Sequence, residues 1–414
     1  MKILHLSTYG SSGGAAIAAL RNHHALLEKG IDSHFVALKE LSLRAQNSTV
    51  LSKGKTALIK NYLWHYIEKM PYLFYDRPDH SPFSFNLVKR INLDKIPFIR
   101  EADLVSLYWI GHGFLIPEQI AQIKKPIVWR LSDKWAFTGG CHLSGECRRY
   151  EEKCGKCPQL QSKHERDITR YVWERKYKAW KNLDMTVVTP SKWLQSCAGE
   201  SSLFKEKKIV HIPTGIDQNV FKPVDKKWAR QILNLKENSF IVLFGATDGL
   251  HTSYKGASFF TEMASKFKGM DIEFLLFGSP LSDSNAHLPD NIKALGILND
   301  EVSLSLIYNA ADVFIAPYKD ENLPNTILES MSCGTPCVAF NSGGISDIVE
   351  HKINGYLTQE NTYEELINGM EWLMNNPDQR QWVSENARKK IMSNFTSAMQ
   401  AARYIKLYKE VLNG

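Results

Sequence analysis

A chain of 414 residues is long for one domain and natural for two, each large enough to bury its own core. Hydrophobic residues at 43% and charged residues at 23% describe an ordinary soluble globular protein. The net charge of +7, from 51 basic and 44 acidic residues, suits anionic ligands or an anionic membrane surface, and no dense Lys/Arg run points to nucleic acid. The apolar segment at Met1–Leu6 is too short for a signal peptide. No apolar run approaches the roughly 20 residues needed to span a bilayer. The expected location is cytoplasmic, with the inner face of the cell membrane left open. Seven cysteines, an odd number, also argue against a secreted disulfide framework.

Residues 2–7 are predicted to form a buried strand and 15–29 a helix, joined by Gly10-Ser11-Ser12-Gly13-Gly14. A Gly-rich loop leading into a helix is a phosphate-approach device. Its spacing is G-x-x-G-G, not G-x-G-x-x-G, and the next strand, 34–38, ends without an acid to hold a ribose; both argue against a nicotinamide or flavin site. Residues 55–75 are rich in Leu, Ile, Tyr, Trp and Phe, interrupted by Lys55, Lys60 and Lys69. The favoured reading is a helix packed on the core or on a neighbouring loop; the alternative is an interfacial helix pressing aromatics into lipid.

Strands are predicted at 103–109, ending in Gly111-His112-Gly113, and at 126–131, ending in Ser132-Asp133-Lys134-Trp135, with both ends opening into one cleft. Cys141, Cys147, Cys154 and Cys157 follow with spacing C-x5-C-x6-C-x2-C, the arithmetic of a structural zinc site. Arg148, Arg149, Lys153 and Lys156 would offset the charge of a four-thiolate cage. Cys197, Cys333 and Cys337 read as isolated core thiols.

A charged helix is expected at 165–181, then a strand at 185–189 and a helix capped by Ser191. A strand at 209–212 ends in Pro213-Thr214-Gly215-Ile216-Asp217, and the polar stretch 217–238 reads as a linker. The second half restarts with a strand at 239–244, after which Ser253-Tyr254-Lys255-Gly256 opens a helix. A lysine there can neutralise a pyrophosphate. After a strand at 272–277 comes a strand–loop–helix–strand unit, with strands at 311–316 and 336–340 and a helix begun by Pro324 and ended by Gly334. Glu321 and Glu329 flank its loop with seven residues between them, and the helix N-terminus between them is a seat for phosphate. Residues 363–412 read as helical and amphipathic.

The Glu321-x7-Glu329 spacing, followed by Ser-Met-Ser-Cys-Gly-Thr-Pro, Ser-Gly-Gly-Ile-Ser-Asp and Asn-Gly-Tyr-Leu, resembles the donor-site signature of retaining glycosyltransferases of family 4. The stretch from Ser132 to His142 is similar to sugar transferases that build surface polysaccharides such as colanic acid, exopolysaccharide and lipopolysaccharide. Two departures stand out. Those relatives commonly carry His where this chain has Ser132, and the family pairs its Lys with an Arg that is missing between Phe240 and Lys255. The resemblance implies an α/β GT-B fold, two Rossmann-like domains facing a central cleft with the last helix crossing back to the first. The domains would be 1–217 with about 400–414, on the acceptor side and carrying a Cys-rich insert at 139–160, and 218–399, on the donor side. It implies transfer from a UDP- or GDP-sugar to a glycan or lipid-linked acceptor, with retention and no catalytic metal. Glu321, Lys255 and Asp133 are the implied catalytic residues. Gly13, Gly14, Lys255, Asn322, Leu323, Asn325, Thr326 and Glu329 are the implied donor contacts. A non-catalytic sugar-nucleotide or glycan-binding relative, or a GT-B sugar-nucleotide epimerase, are the other readings.

Overall fold

A computed structural model describes residues 1–41, 45–76, 81–245, 253–280, 288–298 and 300–414. The chain divides into two compact units, Met1–Pro213 with Ala398–Gly414, and Thr214–Ser397. Among the described residues no helix is long and apolar enough to cross a membrane.

The first unit is built on β1 (Lys2–Tyr9), β2 (Asp32–Lys39), β3 (Ser48–Val50), β4 (Leu104–Leu107), β5 (Ile127–Arg130), β6 (Met185–Thr189) and β7 (Lys208–His211). All pair in parallel in the order β3-β2-β1-β4-β5-β6-β7. Between them run α1 (Gly14–Glu28), α2 (Lys55–Lys69), α3 (Pro117–Ala121), α4 (Ile168–Trp180) and α5 (Lys192–Glu200). Because successive strand residues point to opposite faces, each strand serves two cores. Leu4, Leu6, Val105, Leu107 and Trp129 face one, whereas Ile3, Leu104 and Val128 face the other. Onto that second face packs the last helix, which follows the second unit, through Ala401, Tyr404, Leu407 and Tyr408, a helical stripe.

The second unit carries β8 (Phe240–Gly245), β9 (Ile272–Phe277), β10 (Ile292–Ala294), β11 (Val313–Ala316), β12 (Cys337–Ala339) and β13 (Tyr356–Leu357) in the parallel order β10-β9-β8-β11-β12-β13. Its helices are α6 (Lys226–Ile232), α7 (Ala257–Lys266), α8 (Glu301–Ala310), α9 (Asn325–Ser332), α10 (Tyr363–Asn375) and α11 (Pro377–Asn394); the last helix of the chain is α12 (Ser397–Asn413). The near-continuous apolar runs of β8, β9 and β11 are what a parallel strand covered on both faces requires.

Local chemistry accounts for the departures from expectation. The stretch 217–238 is not plain linker: Asp225 accepts from the Trp228 N–H and starts α6. The charged helix begins at Ile168 because Asp167 caps it through the N–H groups of Thr169 and Arg170. The C-terminal helical stretch breaks at Asn376, which Pro377 forces out of the helical region. Ser191 does cap α5, accepting from the Leu194 N–H.

One buried ion cluster ties the second unit together. Asp312, just before β11, accepts from Arg230 at 2.6 Å and from Lys226 at 2.7 Å, both on α6, and from the β8 N–H of Ile241 at 2.8 Å. Burial pushes its carboxyl up, but the Lys226 ammonium, Ile241 N–H and Arg230 guanidinium outweigh that and hold it below its usual value. A depressed carboxyl stabilises the fold above its unfolded pKa, and that contribution is lost as pH falls through the folded value. Asp312→Ala should therefore destabilise the second unit by about 3 kcal/mol at neutral pH, because it strands the buried Arg230 guanidinium, while Lys226, 43% exposed, can turn to water. The gap between variant and wild type should close in acid. Thermal unfolding of both proteins across pH, showing an equal gap at every pH, would refute the assignment.

Candidate active site

In each sheet the strand order reverses at one point, between β1 and β4 in the first and between β8 and β11 in the second. Loops leaving the C-terminal ends of strands at such a reversal are where open α/β sheets hold ligands. In the second unit, Lys255 follows β8 and Glu321 follows β11. The structure brings them together: Lys255 Nζ donates to Glu321 Oε2, with the two side chains 21% and 19% exposed. Burial works against the Lys255 charge, but the Glu321 carboxylate more than compensates, and the ammonium is held above its ordinary pKa. Lys255 also lies over the Tyr318 ring, 4.9 Å from its centre.

Two glycines make that pairing sterically feasible. Gly256 has φ +72°, and a Cβ there would sit 2.3 Å from the Pro317 carbonyl oxygen, so the loop after β11 passes directly against the residue after Lys255. The Lys319 N–H bonds the Tyr254 carbonyl at 2.9 Å on the other side. Gly343 has φ +57°, and a Cβ there would fall 1.8 Å from the Glu321 carbonyl oxygen, which accepts from the Gly344 N–H at 3.0 Å. The Ser342-Gly343-Gly344 turn thus grips the backbone of Glu321 from behind. The strand-end residues 246–248, after Gly245, lie outside the described residues.

Glu329 lies a little over one turn inside α9 and is only 4% exposed. One of its oxygens accepts from the Tyr308 hydroxyl of α8 at 2.9 Å. Burial, then the Glu329 charge, raises the Tyr308 pKa far enough that it remains a donor. Pro324 stands at the N-cap of α9, one position before its expected place, and no side chain caps that end. Asn322 and Leu323 are buried just ahead of it, and Asn325 and Thr326 are half-buried on its first turn. Tyr318 donates to the Gly245 carbonyl at 2.8 Å, so its 3.0 Å contact with Thr326 Oγ1 must run from Thr326 to the phenol oxygen. Sequence reasoning gave no role to Tyr308, inside a helix, or to Tyr318, at the end of an apolar strand run.

Loops after β4 and β5, beside the first unit's reversal, converge on Asp133. Its Oδ2 accepts from Trp109 Nε1 at 2.7 Å and His142 Nδ1 at 2.6 Å, and its Oδ1 accepts from the Trp135 N–H at 2.9 Å. A carboxylate at Nδ1 places the proton there, leaving His142 Nε2 to accept from Ser84 Oγ at 2.9 Å. Three donors thus hold the carboxylate, two on Oδ2 and one on Oδ1. His142 is the residue that sequence reasoning passed over, although it ends the Ser132–His142 stretch and lies across the Thr138-Gly139-Gly140 turn from Asp133. His112, at φ +53°, bonds the Tyr9 hydroxyl at 3.1 Å, and burial above all lowers its pKa to about 3, so it is neutral. Gly13, at φ +83°, is the N-cap of α1, and Gly14 is its first residue.

The cysteine cluster departs from expectation. All four thiols are free, and among the described residues no three Cys, His, Asp or Glu side chains are grouped to hold a metal ion. The zinc site expected of Cys141, Cys147, Cys154 and Cys157 thus finds no support among the described residues, although the four thiols lie within electrostatic reach of one another. Cys154 packs in the core with Trp129 and Trp135, and Cys157 with Phe83, Phe85 and Val172. Burial raises the Cys154 and Cys157 thiols to about 12 and about 11. The segment is pinned instead by the buried Lys176 of α4, whose ammonium donates to the carbonyls of Trp135 and Thr138.

Residues 225–390 match the family model described as glycosyl transferases group 1. This segment is a group 1 glycosyl transferase domain. It contains Lys255, Glu321 and Glu329, and the whole apparatus around them. A UDP-Gal:alpha-D-GlcNAc-diphosphoundecaprenol alpha-1,3-galactosyltransferase of Escherichia coli is 28% identical over 50% of this chain and 55% of its own length. A protein of Escherichia coli K12 provisionally named as a colanic acid biosynthesis glycosyl transferase is 24% identical over 89% of both chains. The chain spans little more than half the length of the first curated relatives it matches. Among solved structures, Anabaena HepE in complex with UDP superposes with a TM-score of 0.67 at 17% identity, covering 99% of this chain and 100% of that one. The fold is thus GT-B, two Rossmann-like parallel-sheet units of which the group 1 domain is the second.

His142→Ala should remove one donor from the buried Asp133 carboxylate and the acceptor of Ser84. The expected loss is roughly 1–3 kcal/mol of first-unit stability. The test is thermal unfolding followed by tryptophan fluorescence; an unchanged transition would show that this hydrogen-bond chain does not hold the loop.

Proposed function

We propose that the chain transfers a glycosyl group from a nucleotide diphosphate sugar to a hydroxyl of a glycan or lipid-linked acceptor, with retention at the anomeric carbon, in surface polysaccharide synthesis. The observation that carries this reading is the Lys255–Glu321 pair at the β8/β11 reversal, inside the group 1 domain. Transfer breaks the bond between the anomeric carbon and a phosphate oxygen, and the leaving diphosphate takes the electron pair. The acceptor oxygen bonds that carbon, and its proton passes to the departing diphosphate. Negative charge grows on the diphosphate, and a fixed ammonium with the N-terminal N–H groups of α9 is suited to stabilise it. Glu321, beside the lysine and half-buried, is suited to accept hydrogen bonds from hydroxyls of the transferred sugar. Glu329, with one oxygen already held by Tyr308, is the group for the ribose. Asp133, whose oxygens are all engaged, acts on the acceptor side by holding Trp109 and His142 in position. The E. coli relative that is named for a diphosphoundecaprenol substrate, and the one named for colanic acid, support the polysaccharide and lipid-linked setting.

The two carboxylates should separate kinetically. Glu329→Ala removes a charge-assisted bond worth roughly 1.5–3 kcal/mol and should weaken nucleoside diphosphate and donor sugar alike. Lys255→Ala should weaken diphosphates far more than the nucleoside, and should also slow turnover. Glu321→Ala should abolish most turnover while leaving diphosphate affinity unchanged or tighter, because it frees Lys255 from a competing anion. Calorimetric titration with nucleoside diphosphates beside transfer assays decides the matter. A loss of nucleotide affinity in Glu321→Ala equal to that in Glu329→Ala would reverse the assignment. Donor binding without turnover in the wild-type chain would favour a non-catalytic role.

A further inference from the structure

The amphipathicity of α2 is inverted. Ile59, Tyr62, Leu63, Tyr66, Ile67 and Met70 recur at i, i+3, i+4, i+7, i+8 and i+11, the repeat of one helix face, and all are exposed. Leu73 and Phe74, in the tight turn Met70–Phe74 that follows, extend this side of the segment and are each 82% exposed. The polar side of the same helix is the one that meets the protein. Arg90 donates to Asn61 Oδ1 and stacks over the Trp64 ring at 5.9 Å. Glu68 Oε1 accepts from the N–H groups of Phe85 and Asn86, each at 2.6 Å. The helix is therefore held by its polar residues with its apolar stripe turned to solvent, and a contiguous patch of this kind marks an interaction site.

Charge says what covers it. Between residues 53 and 74 Glu68 is the only acid, and it is consumed in the inward contacts. Lys53, Lys60 and Lys69 are exposed. We propose that α2 and the Met70–Phe74 turn lie on an anionic lipid bilayer, with the apolar stripe in the headgroup–acyl boundary and the lysines against lipid phosphates. Its 15 residues are too few to span a membrane but suit a helix lying in the interface plane. Tyr62 and Tyr66 have the apolar ring and polar tip that this depth favours. The inference does not rest on the transferase reading.

Flotation of the full chain with vesicles tests it. The protein should rise with vesicles of phosphatidylcholine and phosphatidylglycerol, much less with phosphatidylcholine alone, and less as salt increases. Combining Tyr62→Ser, Leu63→Ser and Phe74→Ser should abolish flotation. Lys60→Ala with Lys69→Ala should weaken it by roughly 25-fold at low salt, about fivefold for each lysine. Both variants should unfold thermally as the wild type does, since the altered side chains are exposed. A wild type that stays below the anionic vesicles, or a triple-serine variant that floats equally well, overturns the proposal. So does a wild-type dimer, seen by sedimentation, that the triple-serine variant turns into monomer, because the stripe would then be an interface between copies.

Discussion

The ion pair between Lys255 and Glu321 is the contact on which the geometry of the second unit turns. Its members come from loops on either side of the sheet reversal, 66 residues apart in sequence. Such a pair has little value as a stabiliser, since taking about four-fifths of each side chain out of water costs much of what the attraction returns. Its value is positional. The close approach of Gly256 to Pro317 and of Gly343 to Glu321 requires glycine at both places, so the backbone on each side is dictated by the need to let two loops touch. The ammonium is kept charged by its carboxylate partner.

The fold class was legible because parallel strands covered on both faces leave nearly continuous apolar runs, and those runs alternate with helical patterns through the chain. Short edge strands such as β3, β10 and β13 left no such trace, being two or three residues long and only partly buried. Helix limits went astray where a single residue decides them: Asp167 and Pro377 each moved a boundary that periodicity alone cannot locate.

The site was legible unevenly, for a physical reason. The spacing of Glu321 and Glu329 around a helix start is local, so the positions of both relative to α9 could be read from sequence. Their partners could not. Tyr308 reaches Glu329 from another helix, and Trp109 reaches Asp133 from another strand end; neither distance exists in one dimension. The cysteines show the limit of spacing from the other side. Close spacing brings the four thiols near one another, but Cys154 and Cys157 pack into separate apolar clusters, and spacing alone does not give a metal-binding geometry. The same applies to residues 55–75: periodicity identified a helix with an apolar face but carried no information on which way that face would turn. Glu68 and Arg90 settled it, through contacts 17 to 29 residues away.

Comparing the two carboxylates that resemblance made catalytic shows why geometry, not residue type, assigns their work. Asp133 accepts from an indole, an imidazole and a backbone N–H, three donors that fix its orientation. Such a group fixes others: it sets the His142 tautomer, and through Nε2 it orients Ser84. Glu321 has one strong partner, a lysine with its own reason to move toward an anion. A carboxylate held by three donors is fixed in place, whereas one held by a single lysine keeps more freedom. Under the proposed transfer both properties have a use, rigidity where an acceptor would be aimed and responsiveness where charge would develop. In this chain they fall in different sheets, after β5 in the first and after β11 in the second.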